Sequence, residues 1–152
     1  MVACVNEAVD ALMGTTRLLV GIATRALEDL DVTLPQFRLL LVLDDLGPSA
    51  GTVAAHRLGS AASSVTRLGD QLEASGHLTR RRDPANRSVV VLEPTEAGRA
   101  VVATVLARRR EALADLVGRL PEEHRDALTT ALSALRDAAD PDGTGPLELM
   151  NP

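Results

Sequence analysis

The sequence predicts a mainly α-helical fold with one small β-hairpin, and three observations carry that prediction. Apolar residues recur at helical spacing along six segments. That rhythm breaks once, where two short runs rich in Val, Leu and Thr flank a turn near residue 84. The chain also has 152 residues with no tyrosine or tryptophan and a single phenylalanine, Phe37. Its core must therefore be built from Leu, Val and Ala, which suits packed helices better than aromatic-rich strands. Hydrophobic residues at 45% and charged residues at 24% exclude a disordered chain. The length fits about one domain, with a core that a partner subunit would enlarge.

The first helix is expected over roughly Asn6 to Leu30, on a stripe of Val5, Val9, Leu12, Leu19, Ala23, Leu27 and Leu30. Nothing in the next twenty residues obviously covers all of that stripe. The second starts at Thr33-Leu34-Pro35-Gln36. Thr33 with Gln36 three residues on is a capping box, and Pro35 falls in the first turn, where its missing N–H costs little. This helix stops at Gly47-Pro48, and a short third helix, Thr52 to Leu58, stops at Gly59. A fourth begins at Ser60 or Ala61 and continues to Ser75, before Gly76. Leu78 to Arg81 and Ser88 to Leu92 read as two strands around the turn Asp83-Pro84-Ala85-Asn86. Thr95 caps a long fifth helix carrying Val101, Val105, Leu113, Leu116 and Leu120. Pro121-Glu122-Glu123 opens a sixth, with Leu128, Leu132 and Leu135 on one face. From Asp140 the Pro, Gly and Asp content predicts a flexible tail.

Charge is unevenly placed. The net charge is −5, yet residues 56–87 hold six arginines (57, 67, 80, 81, 82 and 87) and three acids (Asp70, Glu73 and Asp83). That stretch is therefore +3 and the remainder −8. A basic middle between acidic flanks attracts an anion with one face only. All 16 cationic residues are arginine, the side chain suited to bidentate phosphate and guanine contacts.

Two short helices joined by Leu58-Gly59-Ser60 and followed by a basic hairpin are the parts of a winged helix-turn-helix. In that arrangement the second short helix enters the major groove of DNA. Val65, Leu68 and Leu72 share the face that anchors it to the domain, while Ser63, Ser64, Thr66 and Arg67 fall on the exposed side. Arginine can bond guanine, and Ser or Thr can bond either partner of a pair. In the hairpin, Arg80, Arg82, Asn86 and Arg87 are candidate contacts, since a tip arginine can reach into the narrow minor groove.

Six stretches together resemble the MarR family: Leu34-Pro35-Gln36-Phe37, Val53-Ala54-Ala55-His56-Arg57-Leu58-Gly59, Ser64-Val65-Thr66-Arg67-Leu68, Leu72-Glu73-Ala74-Ser75-Gly76-His77-Leu78, Arg80-Arg81-Arg82-Asp83-Pro84-Ala85-Asn86-Arg87 and Pro94-Thr95-Glu96-Ala97-Gly98-Arg99. The resemblance covers about Leu34 to Val102. It implies a homodimer joined through the first, fifth and sixth helices. It further implies a cytoplasmic repressor or activator on a pseudo-palindromic operator, often released by a small phenolic or lipophilic ligand. On this reading residues 1–140 form one domain, with 1–32 and 95–140 as dimerisation helices and 33–94 as the DNA-binding module, and 141–152 form the tail. Two positions depart from the family pattern: Asn86 stands where the wing commonly carries Asp, and Ala61-Ala62 where the recognition helix often has a serine cap or a larger polar residue. A ligand would sit where the first and fifth helices meet the winged module. The site would be aliphatic, with Arg17, Arg38 or Arg99 as polar anchors.

Other chemistry finds little support. His56, His77 and His124 lack metal-ligand spacing, so no metal or cofactor is expected. Cys4 is the only cysteine and has no cation beside it in sequence to activate a thiol sensor. No phosphate loop, nucleophile elbow or paired-carboxylate motif points to an enzyme. The start, Met1 to Met13, has no basic residue and does not read as a signal peptide. The longest apolar run, Leu39 to Leu43, is far too short to span a bilayer. The competing class is a helical homodimer whose wing binds another protein rather than DNA.

Overall fold

The computed structural model describes residues 2–83 and 86–139, with side chains from Val5 onward. The Cys4 side chain and the predicted tail at 141–152 lie outside the described residues. The elements run α1 (Val2–Arg25), α2 (Leu34–Leu46), β1 (Ser49–Ala50), α3 (Gly51–Leu58), α4 (Ala62–Ala74), β2 (Leu78–Arg82), β3 (Val90–Pro94), α5 (Glu96–Gly118) and α6 (Glu122–Ala139).

The second helix is the centre of the molecule. Gln36 Oε1 accepts from the Thr33 amide at 2.7 Å and from its hydroxyl at 3.0 Å, fixing where the helix begins. From there Phe37, Leu39, Leu40, Val42 and Leu43 are buried on nearly every side. Ala54, Ala55 and Leu58 of α3, Val65 and Leu72 of α4, Leu78 and Leu92 of the sheet, and Val102 and Val105 of α5 complete one core around it.

The turns follow glycine chemistry. Gly59 adopts a left-handed conformation (φ 60°) that only glycine takes freely. This lets the Ser60 amide return to the Ala55 carbonyl at 2.9 Å and close α3. Gly76 does the same after α4 (φ 77°), with the His77 amide on the Leu72 carbonyl at 2.8 Å.

The hairpin gains a third member. The sheet order is β1-β3-β2, all antiparallel, with Ser49 opposite Leu92 and Ala50 opposite Val91. Register in the wing pairs Arg80 with Leu92 and Arg82 with Val90. Some predicted boundaries move; the first helix, for one, begins at Val2 rather than Asn6. The second strand is Val90–Pro94 rather than 88–92, because the Val89 amide and carbonyl close the turn onto Asn86 and Asp83. The first helix stops at Arg25 rather than Leu30. Beyond it the backbone tightens to three-residue bonds, and Asp29 turns left-handed at φ 64°. Arg108 Nη1 caps that end, donating to the Ala26 carbonyl at 3.2 Å and the Glu28 carbonyl at 2.7 Å.

The root of α5 is the tightest joint. The Thr95 hydroxyl donates to the Gly76 carbonyl at 2.7 Å and accepts from the Gly98 amide at 3.2 Å, while the Thr95 amide donates to the His77 carbonyl at 3.0 Å. A Cβ on Gly98 would lie 2.1 Å from that same His77 oxygen and 3.2 Å from Leu40 Cδ2. Gly98→Ala should therefore lower stability by about 2 kcal/mol or more, since backbone on one side and core on the other leave no room to yield. Gly118→Ala, with nothing within 4 Å of the new carbon, should be neutral or stabilising by up to about 1 kcal/mol. Urea denaturation of both variants measures the contrast; equal loss would remove Gly98 from this role.

Candidate nucleic-acid interface

Helix α4 presents two chemically distinct faces. Val65 and Leu72 are buried and Leu68 half-buried against the core, holding the helix in place. On the other side Ser63, Thr66 and Arg67 are exposed and Ser64 is half-buried. The Thr66 hydroxyl donates to the Ala62 carbonyl at 3.0 Å, which leaves its oxygen as an acceptor toward solvent. Arg67 makes no hydrogen bond or ion pair among the described residues, so its donors are free for an incoming acceptor. The N-cap is Ala61, with no side-chain cap, in keeping with the missing serine at this end of the helix.

The wing divides its arginines by task. Arg87 is exposed, and its guanidinium meets no partner among the described residues. Arg82 Nη1 donates to the Arg87 carbonyl at 2.9 Å, pinning the loop that carries it. Asn86 is consumed by the same turn: its Oδ1 accepts from the Ser88 amide at 3.1 Å and its carbonyl from Val89 at 2.9 Å. Arg81 pairs across the strands with Glu93 at 2.9 Å. Arg80 points back from β2 to α4, where it meets Asp70 at 2.6 Å, Glu73 at 3.6 Å and the Thr66 carbonyl at 3.2 Å. The structure thus brings Ser63, Thr66, Arg67 and Arg87 to solvent as unengaged side chains or acceptors, while Arg80, Arg82 and Asn86 are occupied within the protein. From sequence Asp70 and Glu73 enter only the charge count and Gly69 gives no signal.

A cleft of about 530 Å³ lies between α4 and the sheet, lined by Ala62, Val65 and Thr66 of α4, by Arg80, Val90 and Leu92 of the strands, and by Gly51 of α3. A smaller crevice of about 300 Å³ lies between α1 and α5, with Arg25, Asp115 and Arg119 at its polar edge. None of the predicted ligand anchors lines it. Arg17 is exposed on α1, Arg38 is half-buried on α2, and Arg99 Nη1 donates to the Pro94 carbonyl at 2.7 Å. Near the α2–α5 contact the Arg109 guanidinium lies 4.7 Å above the Phe37 ring, where burial holds its pKa below the usual arginine range. Among the described residues, no helix is long and apolar enough to cross a membrane, and no group of three or more His, Cys, Asp or Glu is placed to hold a metal ion.

Comparison with known proteins agrees with this architecture. The MarR family model matches residues 32–90, from two residues before α2 to the first residue of β3. The solved structure of RV1404 from Mycobacterium tuberculosis is 33% identical, with a TM-score of 0.82 over 88% of this chain and 93% of that one. YfiV of Bacillus subtilis, described as an uncharacterized HTH-type transcriptional regulator, is 28% identical over 111 residues, 73% of this chain and 69% of its own. A mutant of S. aureus MepR solved bound to an oligodeoxyribonucleotide shares the fold at 20% identity, with a TM-score of 0.69 over 87% of this chain and 97% of that one. Six helices, a three-stranded wing and these matches lead to one assignment: the chain belongs to the MarR family.

Proposed function

We propose that the protein is a homodimeric transcriptional regulator, a repressor, that binds a pseudo-palindromic operator with α4 in the major groove and the wing in the minor groove. The observation that carries the reading is the pair Arg67 and Arg87, two exposed and unengaged guanidinium groups on α4 and on the wing. They lie in the +3 stretch of a chain whose net charge is −5. The DNA-bound state of MepR, a protein of the same fold, supports it. A target in chromosomal DNA implies a cytoplasmic protein.

The dimer reading rests on uncovered apolar surface. Val5, Val9, Leu12 and Met13 of α1 are 41–58% exposed, and Leu132 and Leu135 of α6 are 52% and 45% exposed. Helix α6 has no buried residue at all. Contiguous apolar surface of this kind marks an association site, and a second copy would cover it. A two-fold dimer then holds its two recognition helices about 34 Å apart, one turn of duplex. Release by a small lipophilic ligand belongs to the same proposal. The aliphatic α1–α5 crevice supports it better than Arg17, Arg38 or Arg99 do. A wing that binds protein instead of DNA is the alternative.

Arg87→Ala should weaken binding to every duplex and reduce the slope of log affinity against log salt by about 1, since it meets phosphate or the minor groove. Arg67→Ala should relax preference at one operator position by about 1–3 kcal/mol. Competition titrations with operator variants across a salt series separate the two, and salt-independent binding would favour the protein-partner alternative. Leu132→Asp with Leu135→Asp should shift sedimentation to the monomer and weaken operator binding, because both half-sites must be engaged together. An undisturbed dimer would relocate the interface away from α6.

A further inference from the structure

We propose that Arg80 is a positioning residue rather than a DNA contact: seated over Gly69 and held by Asp70 and Glu73, it locks the wing to the recognition helix. The proposal rests on the DNA-binding reading above. Two ion pairs and one hydrogen bond converge on this guanidinium: Nη1 faces Asp70 Oδ1 at 2.6 Å and Glu73 Oε2 at 3.6 Å, and Nη2 donates to the Thr66 carbonyl at 3.2 Å. Thr66, Gly69, Asp70 and Glu73 recur at helical spacing, so the group meets one face of α4 over about two turns. Its side chain is 27% exposed.

Gly69 supplies an independent observation. It is buried in the middle of a helix, where glycine costs about 1 kcal/mol relative to alanine. It has no positive φ that would require glycine. What it provides is space, because a Cβ there would lie 2.9 Å from Arg80 Nη2. An alanine there would displace the end of the Arg80 side chain from its present place.

The two carboxylates point the same way. Asp70 is 58% and Glu73 44% exposed, on the helix that would face a polyanion. Both would repel phosphate, so on a purely DNA-contacting surface they weaken binding. Their presence is coherent if they hold Arg80. A single exposed ion pair contributes little, but a network with several partners on one planar group fixes geometry. Beyond Arg80, Arg81 turns to Glu93 and Arg82 to the Arg87 carbonyl, so Arg80 is the last wing arginine tied to α4.

The sign of one charge change tests this. Asp70→Asn with Glu73→Gln removes two negative charges, so simple electrostatics predicts tighter duplex binding. Loss of the clip predicts the opposite, a weakening of about fivefold, with faster hydrogen exchange of the β2 and β3 amides in the DNA-free protein. Arg80→Ala added to that pair should then cost nothing further. Gly69→Ala should quicken the same exchange while α4 stays helical by circular dichroism. Tighter binding by the acid-free variant, or unchanged wing exchange in both variants, would overturn the proposal. Wild-type protein that binds no duplex at any salt would instead refute the DNA reading, and the exchange measurements would still judge the clip.

Discussion

The stretch from Phe37 to Leu43 has to be kept from water, and the rest of the chain is arranged to do it. Five of its side chains are 1% exposed or less. A helix that is apolar on nearly every side cannot rest on a surface; it must be surrounded. Helices α3 and α4, strand β3 and the first half of α5 supply that enclosure, and each is amphipathic with its apolar side toward α2. Because the core is Leu, Val and Ala with one aromatic ring, no single large side chain dominates it. The position of α4 is therefore a consequence of packing Val65 and Leu72 against α2, and its exposed face is whatever that packing leaves outward.

The long helices belong to this core for only part of their length. Helix α5 joins it through Gly98, Val102 and Val105, and beyond them it lies beside α1, with Leu113 left partly exposed. Among the described residues, the buried side chains at the α1 end of the chain are Ile22, near the end of the helix, and Ala26, just beyond it. Polar hooks make the attachments directional: Thr95 and Gly98 fasten α5 to the turn after α4, and Arg108 fastens α5 to the end of α1. The winged module and the two long helices are thus linked by defined atoms as well as by apolar contact.

Most of this fold was legible from the sequence because its punctuation is local. The Thr33–Gln36 pair, Gly59, Gly76 and Thr95 mark boundaries that depend on residues within five positions of each other. What depends on distant partners was not legible. Strand β1 is two residues long and exists only because Leu92 and Val91 pass beside it. The end of α1 at Arg25 is sealed by Arg108, more than eighty positions along the chain. At the candidate site, helical phase separated the anchored from the exposed face of α4, except that Ser64 is half-buried. It could not tell a free arginine from an engaged one, because Arg80 and Arg87 look alike until the acids of α4 are placed in space.

The seat of Gly98 against the His77 carbonyl also makes α5 a lever. The helix is 23 residues long, so it extends about 34 Å from a root that steric contact keeps from sliding. A tilt of about 5° about that root carries the far end roughly 3 Å, by the length of the helix alone. A displacement of a few ångströms where α5 meets α6 therefore corresponds to a tilt of only a few degrees at the seat against His77.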